Sequence, residues 1–139
     1  MLYELISSGI GALEKTEHVM HFNLFFTIRY MAIQGILPDT AGCVHCGTND
    51  AASYYVDFRT LGFTCSACSE YEGFDISAGT ARFMRKAKSA RFVSIDISTA
   101  PEKEVCLLFN RTAGFIENYY GFRFKSIEML EVCIRDLQK

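Results

Sequence analysis

The spacing of apolar positions changes character three times along the chain. Between residues 2 and 15, Leu2, Leu5, Ile6, Ile10 and Leu13 recur every three or four positions. That interval lines them along one face of an α-helix, so the pattern predicts an amphipathic helix over 2–15. Gly9 and Gly11 weaken it. A second helix is predicted over 17–35. Its residues Val19, Phe22, Phe25, Phe26, Ile28, Met31 and Ile33 cover much of the circumference, which marks a central, buried helix. Gly35 and Pro38 stop it, the first able to adopt a positive φ and the second unable to continue the helical ladder.

Over 39–75 the helical interval disappears. Glycines, four cysteines and two short strand-like pieces replace it, Ser53-Tyr54-Tyr55-Val56 and Gly62-Phe63-Thr64. The helical interval returns behind Ser77, a good N-cap, and predicts a helix from Ala78 to about Ala90 with Phe83, Ala87 and Ala90 on one face. A loop follows through Phe92–Asp96. Thr99-Ala100-Pro101-Glu102 then has the form of a capping box with proline inside the first turn. The helix it opens should reach about Tyr119 before Gly121 ends it. Ser126 is placed to cap a last helix carrying Ile127, Leu130, Ile134 and Leu137. No repeat or low-complexity tract interrupts this order. The expected fold is mainly α, a helical bundle forming a single domain over 1–139 and carrying a small cysteine-rich hairpin insert at about 40–75.

Composition narrows the class. The 139 residues are 50% hydrophobic and 22% charged, which supports a real core and excludes intrinsic disorder. The most apolar stretch, Phe22 to Ile36, is interrupted by Asn23, Arg29 and Gln34, and no run approaches the roughly 18–20 residues of a membrane span. Met1-Leu2-Tyr3-Glu4 lacks the basic start of a secretory signal, so a cytoplasmic protein with no membrane partner is expected.

Net charge is −2, but it is unevenly spread. Residues 82–91 hold Arg82, Arg85, Lys86, Lys88 and Arg91 and no acid, a local +5; the remainder carries 9 basic against 16 acidic residues, or −7. On a helical projection Arg82, Arg85, Lys86 and Lys88 fan over one side, opposite Phe83 and Ala87. Such a face suits a phosphate backbone or an acidic peptide equally, or is simply solvated. A second cationic group, Arg123 and Lys125, is interleaved with Tyr119, Tyr120, Phe122 and Phe124. Those rings could stack bases or accept an apolar side chain, while some belong to the core.

The cysteines carry the sharpest signal. Cys43-Val44-His45-Cys46 and Cys65-Ser66-Ala67-Cys68 make C-x2-C-x18-C-x2-C, the interval of a zinc ribbon. A two-residue gap lets one tight turn aim two thiolates at a common ion, about 2.3 Å from each sulfur. The long gap holds a hairpin that returns the second turn. Gly47 suits the sharp knuckle turn. The alternatives are a redox dithiol, which belongs at the mouth of a strand–helix unit, and an iron–sulfur cluster, which usually shows other spacings. Four thiolates close the coordination sphere, so the zinc expected here is structural. His45 inside the first knuckle should face solvent. Cys106 and Cys133 lie on apolar helical stretches as buried, inert thiols. His18 and His21 are spaced for a metal but have no carboxylate placed to help. No phosphate-binding glycine loop, nucleophile elbow or Ser/His/Asp arrangement is present, so an enzyme is not expected.

Several of these segments together resemble a known family. Gly35-Ile36-Leu37-Pro38-Asp39, Cys43-Val44-His45-Cys46-Gly47 and Gly62-Phe63-Thr64-Cys65-Ser66-Ala67-Cys68 are similar to the RecO family of bacterial DNA repair and recombination mediators. Leu2-Tyr3-Glu4-Leu5, Ser77-Ala78-Gly79-Thr80 and Phe124-Lys125-Ser126 resemble further landmarks of its C-terminal part. The resemblance implies single- and double-stranded DNA binding, strand annealing and help in loading RecA. It also implies association with a RecR-like protein and with the acidic C-terminal tail of single-stranded-DNA-binding protein, no bond-making activity, and one structural zinc. The family's N-terminal OB-fold barrel has no counterpart in these residues, and the positions expected to bind DNA or a protein partner are the cationic Arg82, Arg85, Lys86, Lys88, Arg91, Arg123 and Lys125. The competing readings are a stand-alone zinc-ribbon adaptor that binds protein only, and a cysteine-based redox protein.

Overall fold

The computed structural model of the chain describes residues 2–57, 59, 61–69, 75–89 and 100–126. Among them four helices and a small sheet run in the order α1 (Leu2–Leu13), α2 (Val19–Ile33), β1 (Ser53–Asp57), β2 (Gly62–Cys65), β3 (Asp75–Ser77), α3 (Ala78–Ala87) and α4 (Glu102–Tyr120). The mainly α class with a cysteine-bearing insert is what the residue pattern predicts. The expected last helix from Ser126, the loop through Phe92–Asp96, and Thr99 of the expected capping box lie almost wholly outside the described residues.

The most apolar helix is the central one. Leu24, Phe25, Ile28 and Met31 of α2 are essentially inaccessible, and α2 packs against α1, α3 and α4. Gly35 at φ +71° ends it, and Gly121 at φ +73° caps α4, each in the left-handed region that favours glycine. His21 is 6% exposed and is satisfied rather than ligating: its Nε2–H donates to the Ala100 carbonyl at 2.6 Å.

Helix α1 departs from the expectation. Of its five periodic apolar residues only Leu5 is buried; Leu2, Ile6, Ile10 and Leu13 are exposed. The inward face instead runs through Leu5 and Gly9. A Cβ at Gly9 would sit 3.1 Å from Phe26 Cε2, so the missing side chain lets α1 lie close against α2. Shape complementarity to two phenylalanine rings, rather than the count of apolar side chains, sets the face that packs.

The insert is a three-stranded antiparallel sheet in the order β2-β1-β3. Tyr54 pairs with Cys65 and Val56 with Phe63 on one side of β1; Tyr54 pairs with Ile76 on the other. Tyr54, Val56, Phe63 and Ile76 are all buried, so the sheet shares the core of the helices. The third strand is an addition to the expected hairpin: three residues are too few to show a period.

Strand β3 runs straight into α3. Ser77 is both its last residue and the N-cap of the helix, its Oγ accepting from the Thr80 N–H at 3.3 Å. At the start of α4, Pro101 occupies the N-cap position and makes no side-chain cap bond. One of the two acids of the first turn is used elsewhere. Glu104 reaches across to α3, accepting from the Ser77 N–H at 3.2 Å, from Ser77 Oγ at 3.0 Å and from Thr80 Oγ1. A carboxylate at that helix start satisfies an orphan donor and meets the positive end of the helix dipole.

Candidate metal centre and partner surfaces

Two tight turns build the cysteine cluster. In the first, the Gly47 N–H donates to the Cys43 carbonyl and the Cys43 N–H to the Thr48 carbonyl, each at 2.9 Å. Gly47 takes φ +75°, as a knuckle requires. Gly42 has a different reason to be glycine: a Cβ there would lie 2.8 Å from the carbonyl oxygens of Gly47 and Thr48. In the second turn the N–H groups of Cys68 and Ser69 both donate to the Cys65 carbonyl at 3.0 Å. A bridge between Cys43 and Phe63, with the Val44 N–H on the Phe63 carbonyl at 2.9 Å, holds the first knuckle against β2.

The four sulfurs of Cys43, Cys46, Cys65 and Cys68 all lie within 4.8 Å of one another, and Cys46 Sγ is 3.6 Å from Cys65 Sγ. A tetrahedral ion with bonds of about 2.3 Å needs sulfurs about 3.8 Å apart, so the cluster fits such an ion with little adjustment. The four cysteines could hold a metal ion. Their electrostatics already differ. The Cys43 thiol is lowered to about 6, first by the Cys46 N–H, then by those of Cys65 and His45, all of which favour the thiolate. Cys68 is pushed up to about 12 by hydrogen bonding to Cys65 and Cys46 and by burial. Within the first knuckle His45 is exposed, as the sequence suggests. Cys106 is buried, and burial followed by the charge of Glu102 raises its thiol, the setting of an inert cysteine.

The cationic residues separate. Arg82, Lys86 and Lys88 are exposed on or just after α3. Arg85 turns the other way. Its Nε–H donates to the Thr40 carbonyl at 3.0 Å and its Nη1 to the Asn49 carbonyl at 3.3 Å. Its guanidinium lies over the Tyr54 ring, 5.2 Å from the centroid, and near Phe63 at 6.0 Å. Arg85 therefore ties α3 to the cysteine-bearing turn, and its charge is not free for an outside partner. A helical projection cannot see this, because the fixed carbonyls that recruit Arg85 lie 36 or more positions away in sequence. Arg29 is the cation the sequence reading missed: from α2 its Nη1 donates to the Lys88 carbonyl at 2.6 Å, beside the end of α3. Arg91 lies outside the described residues.

A groove of about 510 Å³ opens between α2 and the far end of α4, lined by Phe26, Tyr30, Phe109, Ile116, Tyr120 and Phe122 among others. The chain beyond α4 folds back to form one wall, fixed where the Phe124 N–H donates to Glu117 Oε1 at 2.7 Å. Phe122 and Phe124 meet edge to face at 4.7 Å. The hydroxyls of Tyr30 and Tyr120 share a hydrogen bond at 3.4 Å, and that contact, followed by burial, raises the Tyr120 phenol. Arg123 and Lys125, alternating with these rings, are exposed. No helix among the described residues is long and apolar enough to cross a membrane.

The model of the family described as Recombination protein O C terminal matches residues 1–128. The chain belongs to the RecO C-terminal family. A relative described as DNA repair protein RecO, from an Exiguobacterium species, is 23% identical over 137 residues. That match covers 96% of this chain and 53% of the relative, so the chain spans about half the length of the curated protein it matches. No solved structure matches the chain. Membership supports a role in DNA repair and recombination, and the cysteine cluster is compatible with zinc.

Proposed function

We propose that this chain is the helical, zinc-holding part of a RecO-like recombination mediator, without bond-making activity. The family match over residues 1–128 carries the reading. The ion is zinc. Four thiolates and no open position make it a structural ion that folds the 40–75 insert, with binding energy on the order of 10 kcal/mol. Cys43, Cys46, Cys65 and Cys68 would hold it. Arg82, Lys86 and Lys88 face DNA phosphates, with Arg123 and Lys125 as a second cationic group. The apolar groove beside that second group accepts the apolar end of an acidic peptide, the chemistry of the tail of single-stranded-DNA-binding protein. A RecR-like protein completes the assembly, which anneals strands and helps load RecA.

Fluorescence anisotropy with single-stranded DNA at about 50 and 200 mM salt tests the DNA arm: contact with several phosphates makes affinity fall by orders of magnitude between the two. Replacing Arg82, Lys86 and Lys88 together should abolish it. A titration with an acidic, aromatic-ended peptide tests the groove. Arg123→Glu with Lys125→Glu should remove that binding, and unchanged affinity in the double variant would reject the assignment. Peptide binding with no DNA binding at the lower salt would favour the second reading, a zinc-ribbon adaptor.

A further inference from the structure

The two ends of the loop that carries Cys43 and Cys46 are gripped by one side chain. Thr40 lies just before the first knuckle and Asn49 just after it, and the carbonyls of both accept from Arg85 of α3, at 3.0 and 3.3 Å. The rings beneath the guanidinium belong to β1 and β2, and Phe63 is itself bridged to Cys43. Arg85 can make this set of contacts only while the knuckle is closed. On the same helix Arg82 and Lys86 are exposed, with Lys88 following. Within the cluster Cys46 is exposed, whereas Cys43 and Cys65 are buried, and Cys46 Sγ stands 3.6 Å from Cys65 Sγ.

We propose that the metal centre is a peroxide-sensitive switch for the cationic face of α3. Oxidation of Cys46 and Cys65 releases the ion and opens the knuckle that Arg85 holds, so α3 loses its fixed seat. This rests on the reading of Arg82, Lys86 and Lys88 as the DNA-facing group. In the first step the exposed Cys46 thiolate takes an oxygen from hydrogen peroxide. The S–O bond forms as O–O breaks, leaving a sulfenic acid and hydroxide. In the second, the Cys65 thiolate attacks that sulfur; S–S forms, S–O breaks and a second hydroxide leaves. Two thiolates lose two electrons, the peroxide gains them, and both hydroxides take protons from solvent to become water. With two of its four ligands gone the ion departs. A thiol reductant and fresh zinc reverse the sequence.

The test uses the full zinc-loaded chain treated with hydrogen peroxide. Three readouts run in parallel: released zinc by a chromophoric chelator, amide hydrogen exchange along α3 and α4, and anisotropy with single-stranded DNA. The expected result is one zinc released with two thiols lost, exchange in α3 at least tenfold faster with α4 unchanged, and DNA affinity at least tenfold weaker. All three return with reductant and zinc. Stripping zinc by a chelator without oxidant should speed α3 exchange equally. Zinc retained under peroxide overturns the proposal. So does zinc released with α3 still protected, or α4 opening together with α3, which is general unfolding. Reduced protein that never binds DNA rejects the DNA-facing reading, while zinc release and α3 exchange still decide the switch.

Discussion

Replacing Arg85 by methionine keeps most of the apolar stem and removes the guanidinium. The bond to Thr40, a residue 2% exposed, is charge-assisted and contributes about 1.5–2 kcal/mol. The longer bond to Asn49 lies toward solvent and adds about 0.5 kcal/mol. The contacts over Tyr54 and Phe63 add about 0.5–1 kcal/mol. Against these, Arg85 Nη2 is buried without a partner among the described residues, and removing it returns about 1 kcal/mol. The net loss is about 2 kcal/mol. Folding of so small an insert and metal binding are one event, so the same energy should appear as roughly thirtyfold weaker zinc binding. Competition against a chromophoric chelator measures it, and urea unfolding of the zinc-saturated chain gives an independent value. Arg82→Met is the matched control: that side chain is exposed, and the variant should change stability by less than about 0.5 kcal/mol while weakening DNA binding. Equal effects of the two variants, or an Arg85→Met zinc affinity within threefold of the parent, would refute the latch.

Two further outcomes follow from the cluster. Gly42→Ala should weaken zinc binding at least tenfold in the same competition assay, because its Cβ would meet two fixed backbone oxygens at 2.8 Å and force the knuckle open; parental affinity would show that the turn has slack. Zinc affinity should rise with pH and steepen in acid. Cys68, raised to about 12, carries a proton that zinc must displace at any working pH, whereas Cys43, lowered to about 6, adds a further displaced proton only below that value. Log affinity against pH, measured from about pH 5 to 7.5, should therefore gain one unit of slope on descending through about pH 6. An unbroken slope would contradict the assignment.

The interval between Cys43-x2-Cys46 and Cys65-x2-Cys68, the apolar run of α2, Ser77 before α3 and Gly121 after α4 are legible in the linear order, because each depends on neighbours within a few residues. Periodicity says that α1 is a helix, yet its packed face follows Gly9, whose lack of a Cβ matters only once Phe22 and Phe26 are opposite it. β3 carries no period of its own and is a strand because β1 offers it a ladder. Glu104 belongs in its own helix start by the local rule, but the unpaired donors it meets belong to α3.

The sequence by itself determined the four-cysteine cluster and the mainly helical class, since thiol spacing and hydrophobic period are short-range properties. Only the tertiary structure decided which arginine faces outward, which is held inside, and where an apolar groove opens. Those outcomes depend on donors, acceptors and rings brought together from distant parts of the chain, and no local pattern encodes their meeting.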